Sequence, residues 1–212
     1  MRYPADHKAK TKGRILEAAG KSFRKQGFNL TGVDGLAAGA GVTSGAFYGH
    51  FRSKTEAFRA ALSAGLEELR QGIEACQAKF GDAWVEELAE FYFTTRVTCD
   101  LAEGCALPSL SADVARGDAK TKATFEKEFL SIVATLAKGL PGTNAEQREA
   151  RAIVMAALFP GGVAVRLASG PRSIATGKTF DVPAGQAGVT FTNESTSEEA
   201  SCALRARALT AH

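Results

Sequence analysis

The sequence predicts an all-α chain in two parts. Residues 1–52 read as a three-helix head containing a helix-turn-helix. Residues 53–212 read as a larger helical bundle with an irregular insertion near 169–194. Three observations predict this. Apolar residues recur at helical spacing through most of the first 168 residues. Capping residues and Gly or Pro breaks punctuate those stretches. The segment Thr31 to Phe51, TGVDGLAAGAGVTSGAFYGHF, reads as two short helices joined by a tight glycine turn.

Residues 1–10 read as a loose arm, with Lys8, Lys10 and Lys12 within reach of phosphates. Thr11 opens a first helix to about Gln26, with Ile15, Leu16, Ala19 and Phe23 on one face. Gly27 stops it, and Phe28 turns back towards the core. Thr31 is expected to cap the next helix, with Asp34 as capping-box partner. Val33, Leu36, Ala37 and Ala40 give that helix its apolar face, and Gly41 ends it in a left-handed conformation. Val42 is expected as a buried plug between the helices. Thr43 caps the second helix, Ser44 to Gly49, with Phe47 facing the core.

Ser53-Lys54-Thr55-Glu56 is a capping box that opens a long helix to about Phe80, carrying Phe58, Leu62, Leu66, Leu69 and Ile73 as its buried row. Such a helix spans about 40 Å. Trp84 to about Cys99 reads as one helix. Cys105 to Ala115 reads as a short helix interrupted early by Pro108. Asp118 to about Leu140 follows, built on Phe125, Phe129, Ile132, Val133 and Leu136. Thr143-Asn144-Ala145-Glu146 caps a helix to about residue 168 that is apolar almost all round, as a helix buried on several sides or at a subunit interface would be. Pro160 is expected to kink it, and Gly161-Gly162 to allow a close approach. From 169 to 193 the helical pattern disappears, and Ser195 to Glu198 then caps a last helix over about 196–209.

Charge is unevenly placed. Residues 1–60 carry eleven Lys or Arg against four Asp or Glu, a net +7. The whole chain is only +3, which leaves −4 for the remainder. A basic head on an acidic body suits a polyanion partner for the head alone. No apolar run is long enough to span a membrane, and the N-terminal residues do not read as a signal peptide. Cys76, Cys99, Cys105 and Cys202 show no zinc-ligand spacing, which points to thiols in a reducing cytoplasm, with no metal and no cofactor. Thr176-Gly177-Lys178-Thr179 lacks the glycine a phosphate-binding loop needs. Ser44 is not in a nucleophile elbow, and no local triad surrounds the histidines, so the chain does not read as an enzyme.

Phe23, Gly27, Phe28, Thr31, Val33, Leu36-Ala37, Ala40-Gly41-Val42, Phe47-Tyr48-x-His50-Phe51, Ser53-Lys54 and Phe58 occur in order over residues 10 to 60. This stretch resembles the N-terminal DNA-binding domain of the tetracycline-repressor-like (TetR) family. The second helix of such a motif lies in the major groove and presents its N-terminal residues to base edges, here Thr43, Ser44, Gly45 and Ala46. The resemblance implies phosphate contacts for Tyr48 and His50, and helix N-termini suit phosphates at Thr31 and Lys54.

For the remainder, the resemblance implies a cytoplasmic homodimer on double-stranded DNA. The dimer would form through about 144–168 and 196–209, with a long fourth helix linking head and body. It also implies a repressor released by an unknown small-molecule effector, with a pocket drawn from Trp84, Leu88, Phe91, Tyr92, Thr95, Phe125 and Phe129. Gly104-Cys105 is similar to the electrophile-sensing branch of the family, with Cys99 as a nearby second thiol. The alternatives are a DNA-architectural protein without an effector and an enzyme.

Overall fold

A computed structural model of the chain describes residues 5–169, and every regular element among them is helical. The elements are α1 (Ala5–Leu30), α2 (Val33–Gly39), α3 (Ser44–Tyr48), α4 (Lys54–Phe80), α5 (Trp84–Glu90), a π-helical turn (Phe91–Thr95), α6 (Arg96–Thr98), α7 (Ala106–Ala115), α8 (Ala119–Gly139) and α9 (Ala145–Ser169). Short 3-10 turns lie at Gly81–Ala83 and Leu101–Glu103. The all-α class is as predicted. The expected insertion beyond residue 169, the last helix at 196–209 and Cys202 lie outside the described residues. The described residues form two compact units, one of 5–67 with 100–128 and one of 68–99 with 129–169.

In the first unit, α1 starts six residues before the expected Thr11. Residues 5–10 are therefore helical rather than a loose arm. Ala5–Lys12 holds neither Pro nor Gly, so nothing in it breaks a helix. Ile15, Ala19 and Phe23 are fully buried. Gly27 takes φ 76°, a left-handed value open to glycine, and interrupts the path of α1 there. The Phe28 amide beyond it donates to Asp113 Oδ2 at 2.9 Å. The Phe28 ring meets Phe23 and Phe58, which touch each other edge to face at 5.1 Å. The segment before α7 lies along α1: Arg24 Nε donates to the Ala102 carbonyl at 2.7 Å, and Lys21 pairs with Glu103 at 3.1 Å. At Gly65 on α4 an added Cβ would lie 2.6 Å from Ala106 Cβ, so the crossing of α4 and α7 needs two small residues.

Several expected helix starts shift by a residue. Ser53 Oγ accepts the Glu56 amide at 3.1 Å, as a capping box requires, but Glu56 Oε2 accepts the amide of Arg52 instead of Ser53. Asp118 caps α8 by accepting the Thr121 amide at 2.7 Å. Thr121, through that amide, and then Arg59 at 3.2 Å hold the Asp118 carboxyl below its usual range. Pro108 does not interrupt α7; it stands in the first turn, where its missing N–H has no helical partner to lose.

In the second unit the core is Ile73, Trp84, Leu88, Tyr92, Ile132, Val133, Leu136, Met155 and Phe159. The Trp84 indole donates to the Gly139 carbonyl at 3.0 Å, and Gln77 Nε2 donates to the Thr135 carbonyl at 3.0 Å. Burial raises the Cys76 thiol pKa, which makes it a core side chain rather than a reactive one. The expected single helix from Trp84 carries a π turn over Phe91–Thr95, where the Arg96 amide bonds to the Phe91 carbonyl five residues back. The inserted residue rotates the face, so Phe91 and Thr95 are only half-buried while Tyr92 is buried. The cap of α9 is Asn144, whose Oδ1 accepts the Gln147 amide at 2.8 Å; Gln147 Oε1 reciprocates to Thr143. α9 continues through Pro160, and a Cβ at Gly162 would lie 2.6 Å from the Phe93 ring, the close approach expected there.

Candidate nucleic-acid interface

α2 and α3 form the expected pair about Gly41, which takes φ 63°. The Val42 amide closes the turn on the Ala37 carbonyl at 2.9 Å. Val42 itself is half-buried rather than a plug. The turn has a brace that local sequence patterns do not show. The Arg14 guanidinium, on α1, donates to the Ala40 carbonyl and to the Gly41 carbonyl at 3.2 Å. It satisfies carbonyls left open where α2 ends. Arg14 and these partners are 26 and 27 residues apart, so no short-range spacing announces it.

α3 is held from both ends. Thr43 caps it as expected, its hydroxyl accepting the Ala46 amide at 3.2 Å. Ser44 Oγ donates to Asp34 Oδ1 at 2.5 Å. Asp34 therefore ties α3 to α2 and does not serve a capping box with Thr31. The buried side of α3 is Phe47, fully enclosed and 5.7 Å from the Phe51 ring. The other side presents Thr43, Gly45 and Tyr48 to solvent, with Ser44 and Ala46 half-exposed. Tyr48 is 56% exposed and stands edge-on to Phe47 at 5.5 Å. At Gly45 an added Cβ would meet only Thr43 Oγ1, at 3.8 Å. The protein's own packing does not require glycine there.

Two expected phosphate ligands are turned inward. Thr31 is 3% exposed, and its hydroxyl donates to the Gly27 carbonyl at 2.7 Å. The residue preceding α2 is Gly32, which offers no side-chain cap. Thr31 thus secures the end of α1. Lys54 Nζ donates to the Phe28 carbonyl at 2.9 Å and lies 4.2 Å from the centre of the Phe28 ring. A charged hydrogen bond and a cation–π contact set its side chain as a structural tie. Lys54→Met is expected to lower stability by about 1–2 kcal/mol. Urea unfolding of the two proteins measures it, and coincident curves would dismiss the tie. His50 is half-buried with its Nδ1 enclosed.

Of the residues expected around an effector, Trp84, Leu88 and Tyr92 are buried in the second unit, Tyr92 against Phe159 at 5.5 Å. Phe91 lies against Arg96 at 5.4 Å, Thr95 and Phe129 are half-buried, and Phe125, also half-buried, belongs to the first unit. Cys105 directly precedes α7 and is 8% exposed; Cys99 is half-buried, with its Sγ donating to the Arg96 carbonyl at 3.3 Å. No group of three or more metal-binding side chains occurs among the described residues. None of their helices is long and apolar enough to cross a membrane.

Residues 15–61 match the family described as bacterial regulatory proteins, tetR family. Over 63 residues the chain is 38% identical to YfiR of Bacillus subtilis, an uncharacterized HTH-type transcriptional regulator; the match covers 30% of this chain and 31% of that one. It is 35% identical over 72 residues to the HTH-type transcriptional activator FasR of Mycolicibacterium smegmatis, covering 34% and 32%. It is 38% identical over 64 residues to the HTH-type transcriptional regulator TtgR of Pseudomonas putida, covering 30% of each. The chain spans about a third of the length of the curated relatives it matches. Fold likeness extends further. The reduced form of Escherichia coli NemR superposes with a TM-score of 0.63 at 22% identity, over 75% of this chain and 88% of that one. A TetR-family regulator of Agrobacterium tumefaciens superposes with a TM-score of 0.66 at 16% identity, over 77% and 90%.

Proposed function

We propose that this chain, whose N-terminal domain belongs to the tetR family of bacterial regulatory proteins, is a homodimeric, ligand-responsive transcriptional repressor. Residues 1–52 serve as the DNA-reading domain and 53–212 as the effector and dimer domain. The observation that carries the reading is the two-sidedness of α3. Phe47 is locked into the core, while Thr43, Gly45 and Tyr48 face outward with Ser44 and Ala46 beside them. A helix so mounted enters the major groove by its N-terminal residues. Thr43, Ser44 and Ala46 meet base edges, Gly45 admits the backbone close to them, and Tyr48 and His50 hold phosphates. Thr31 and Lys54 contribute by positioning the helices, since their side chains are engaged inside.

One head neutralises few phosphates, so the reading requires two on a pseudo-palindrome. Support for a pair comes from α9, whose Ile153, Val154 and Leu158 are 45–56% exposed. Val154 and Leu158, four apart, share one helix face, with Ile153 further round, and such exposed apolar side chains suit a second copy of the chain. The partner helix proposed for this interface, 196–209, lies outside the described residues. The effector acts on the second domain near Trp84, Leu88, Phe91, Tyr92, Thr95 and Phe129, or on Cys105 or Cys99 alone if it is a thiol-directed electrophile. It shifts the population towards a spacing of heads that does not fit DNA.

Gly45→Ala tests the reading face. It is expected to stabilise the fold by about 0.5–1 kcal/mol, because alanine favours helix and has room. It is also expected to weaken binding to the selected operator by tenfold or more, since the methyl keeps the backbone from the bases. Selection of the operator from a random-sequence duplex pool, then thermal melting and anisotropy on both proteins, supplies the measurement. A stabilised variant with unchanged operator affinity would refute major-groove entry by α3. Tyr48→Phe should weaken operator and random duplex alike, as loss of a phosphate bond does.

A further inference from the structure

Ser44, the first residue of α3, and Asp34, in the first turn of α2, meet at 2.5 Å. The Ser44 hydroxyl is the donor, because a carboxylate can only accept. A hydrogen bond this short to a carboxylate holds the hydroxyl proton firmly. Ser44 is half-exposed, so its oxygen keeps lone pairs for solvent or a ligand and has no proton left to give. Thr43, one residue earlier, is the opposite case. Its oxygen accepts the Ala46 amide at 3.2 Å, and its proton is not spent on any partner among the described residues. Asp34 is exposed and enters no ion pair among the described residues. Its charge beside the outward side of α3 is a cost for binding any polyanion. Neither core packing nor charge pairing explains a carboxylate there; its bond to Ser44 does.

We propose that Asp34 is a positioning residue for base readout. By holding the Ser44 proton it fixes Ser44 as an acceptor. One position of each half-site then prefers a base with an amino group, adenine or cytosine on the contacted strand, over guanine or thymine. This role rests on entry of α3 into the major groove, and it adds what one residue of that helix selects. A free serine both donates and accepts, so it suits any base. In the major groove, adenine N6 and cytosine N4 present amino hydrogens where thymine O4 and guanine O6 present carbonyl oxygens. A Ser44 lone pair bonds to the first two and opposes the lone pairs of the others. The Asp34 charge behind it adds to that repulsion. Without Asp34 the hydroxyl rotates freely, donates to O4 or O6, and the preference fades.

The test uses the full chain and selection from a random-sequence duplex pool, run on wild type, Ser44→Ala, Asp34→Ala and the double variant. Anisotropy on single-base variants of the wild-type operator then gives the preference at each position. Ser44→Ala identifies its own position by losing the preference there. In the wild type that position should favour adenine or cytosine over guanine or thymine by about fivefold or more. Asp34→Ala should reduce the preference to about twofold or less at the same position and leave the other positions unchanged. The double variant should match Ser44→Ala there, because the two residues act as one unit. Asp34→Ala should also bind random duplex at low salt at least as tightly as wild type, since a negative charge has gone. A substitution that merely loosened the head would weaken binding to both duplexes and blur every position, and thermal melting would show it. A preference that survives Asp34→Ala or Ser44→Ala, or guanine or thymine favoured at the Ser44 position in the wild type, overturns the role of Asp34 while leaving groove entry in place. Selection that enriches no sequence overturns both.

Discussion

Leu158→Glu is expected to convert a dimer into a monomer and to reduce operator affinity by about 10²–10⁴-fold, the loss that follows when two linked binding modules act singly. Leu158 is 53% exposed on α9 beside Val154 at 56%. A glutamate there removes apolar area from the proposed interface. It also brings two like charges together across a two-fold contact, where they are poorly hydrated. The side chain is on the surface of the single chain, so protomer stability should change by less than about 1 kcal/mol. Sedimentation velocity reads the mass, melting reads the fold, and anisotropy on the selected operator reads the affinity. A variant that sediments as wild type and binds equally well would show that α9 is not the dimer face. Leu158→Ala, which keeps the surface neutral, should give a smaller shift in the same direction.

Phe47→Ala is expected to cost about 3–5 kcal/mol, the range for truncating a fully enclosed phenylalanine. The ring is 0% exposed and packs against Phe51 and Tyr48. Domains are stable by only about 5–15 kcal/mol, so the loss should leave the head partly unfolded at 37 °C. DNA binding should then fail for every sequence, whereas Tyr48→Phe should bind weakly but melt normally. Urea unfolding followed by far-ultraviolet circular dichroism checks the first effect. A cost under about 1 kcal/mol would mean that Phe47 does not hold α3 to the head.

The head was legible because its signals are local. A Thr that caps α3, a glycine that turns at Gly41 and an apolar residue on the inner face act within four residues of themselves, and each stands where the spacing predicts. Thr31 failed as a cap for the opposite reason. Its hydroxyl is buried against the Gly27 carbonyl at the end of α1, and the residue that directly precedes α2 is Gly32. Lys54 reads as a phosphate ligand from its place at the start of a helix, and only the folded chain shows the Phe28 carbonyl and ring that occupy it. The Arg14 brace has no signature at all, since its partners come 26 and 27 residues later.

From its residues alone, the protein was settled as a helical chain with a basic helix-turn-helix head, because helix periodicity, caps and breaks follow from bonds spanning three or four residues. Tertiary structure decided where the polar side chains of that head point. Thr31 and Lys54 close inward, and Asp34 pins Ser44. Which donor meets which acceptor depends on segments brought together from tens of residues apart, and that pairing exists only once the core around Phe23, Phe47 and Phe58 has formed.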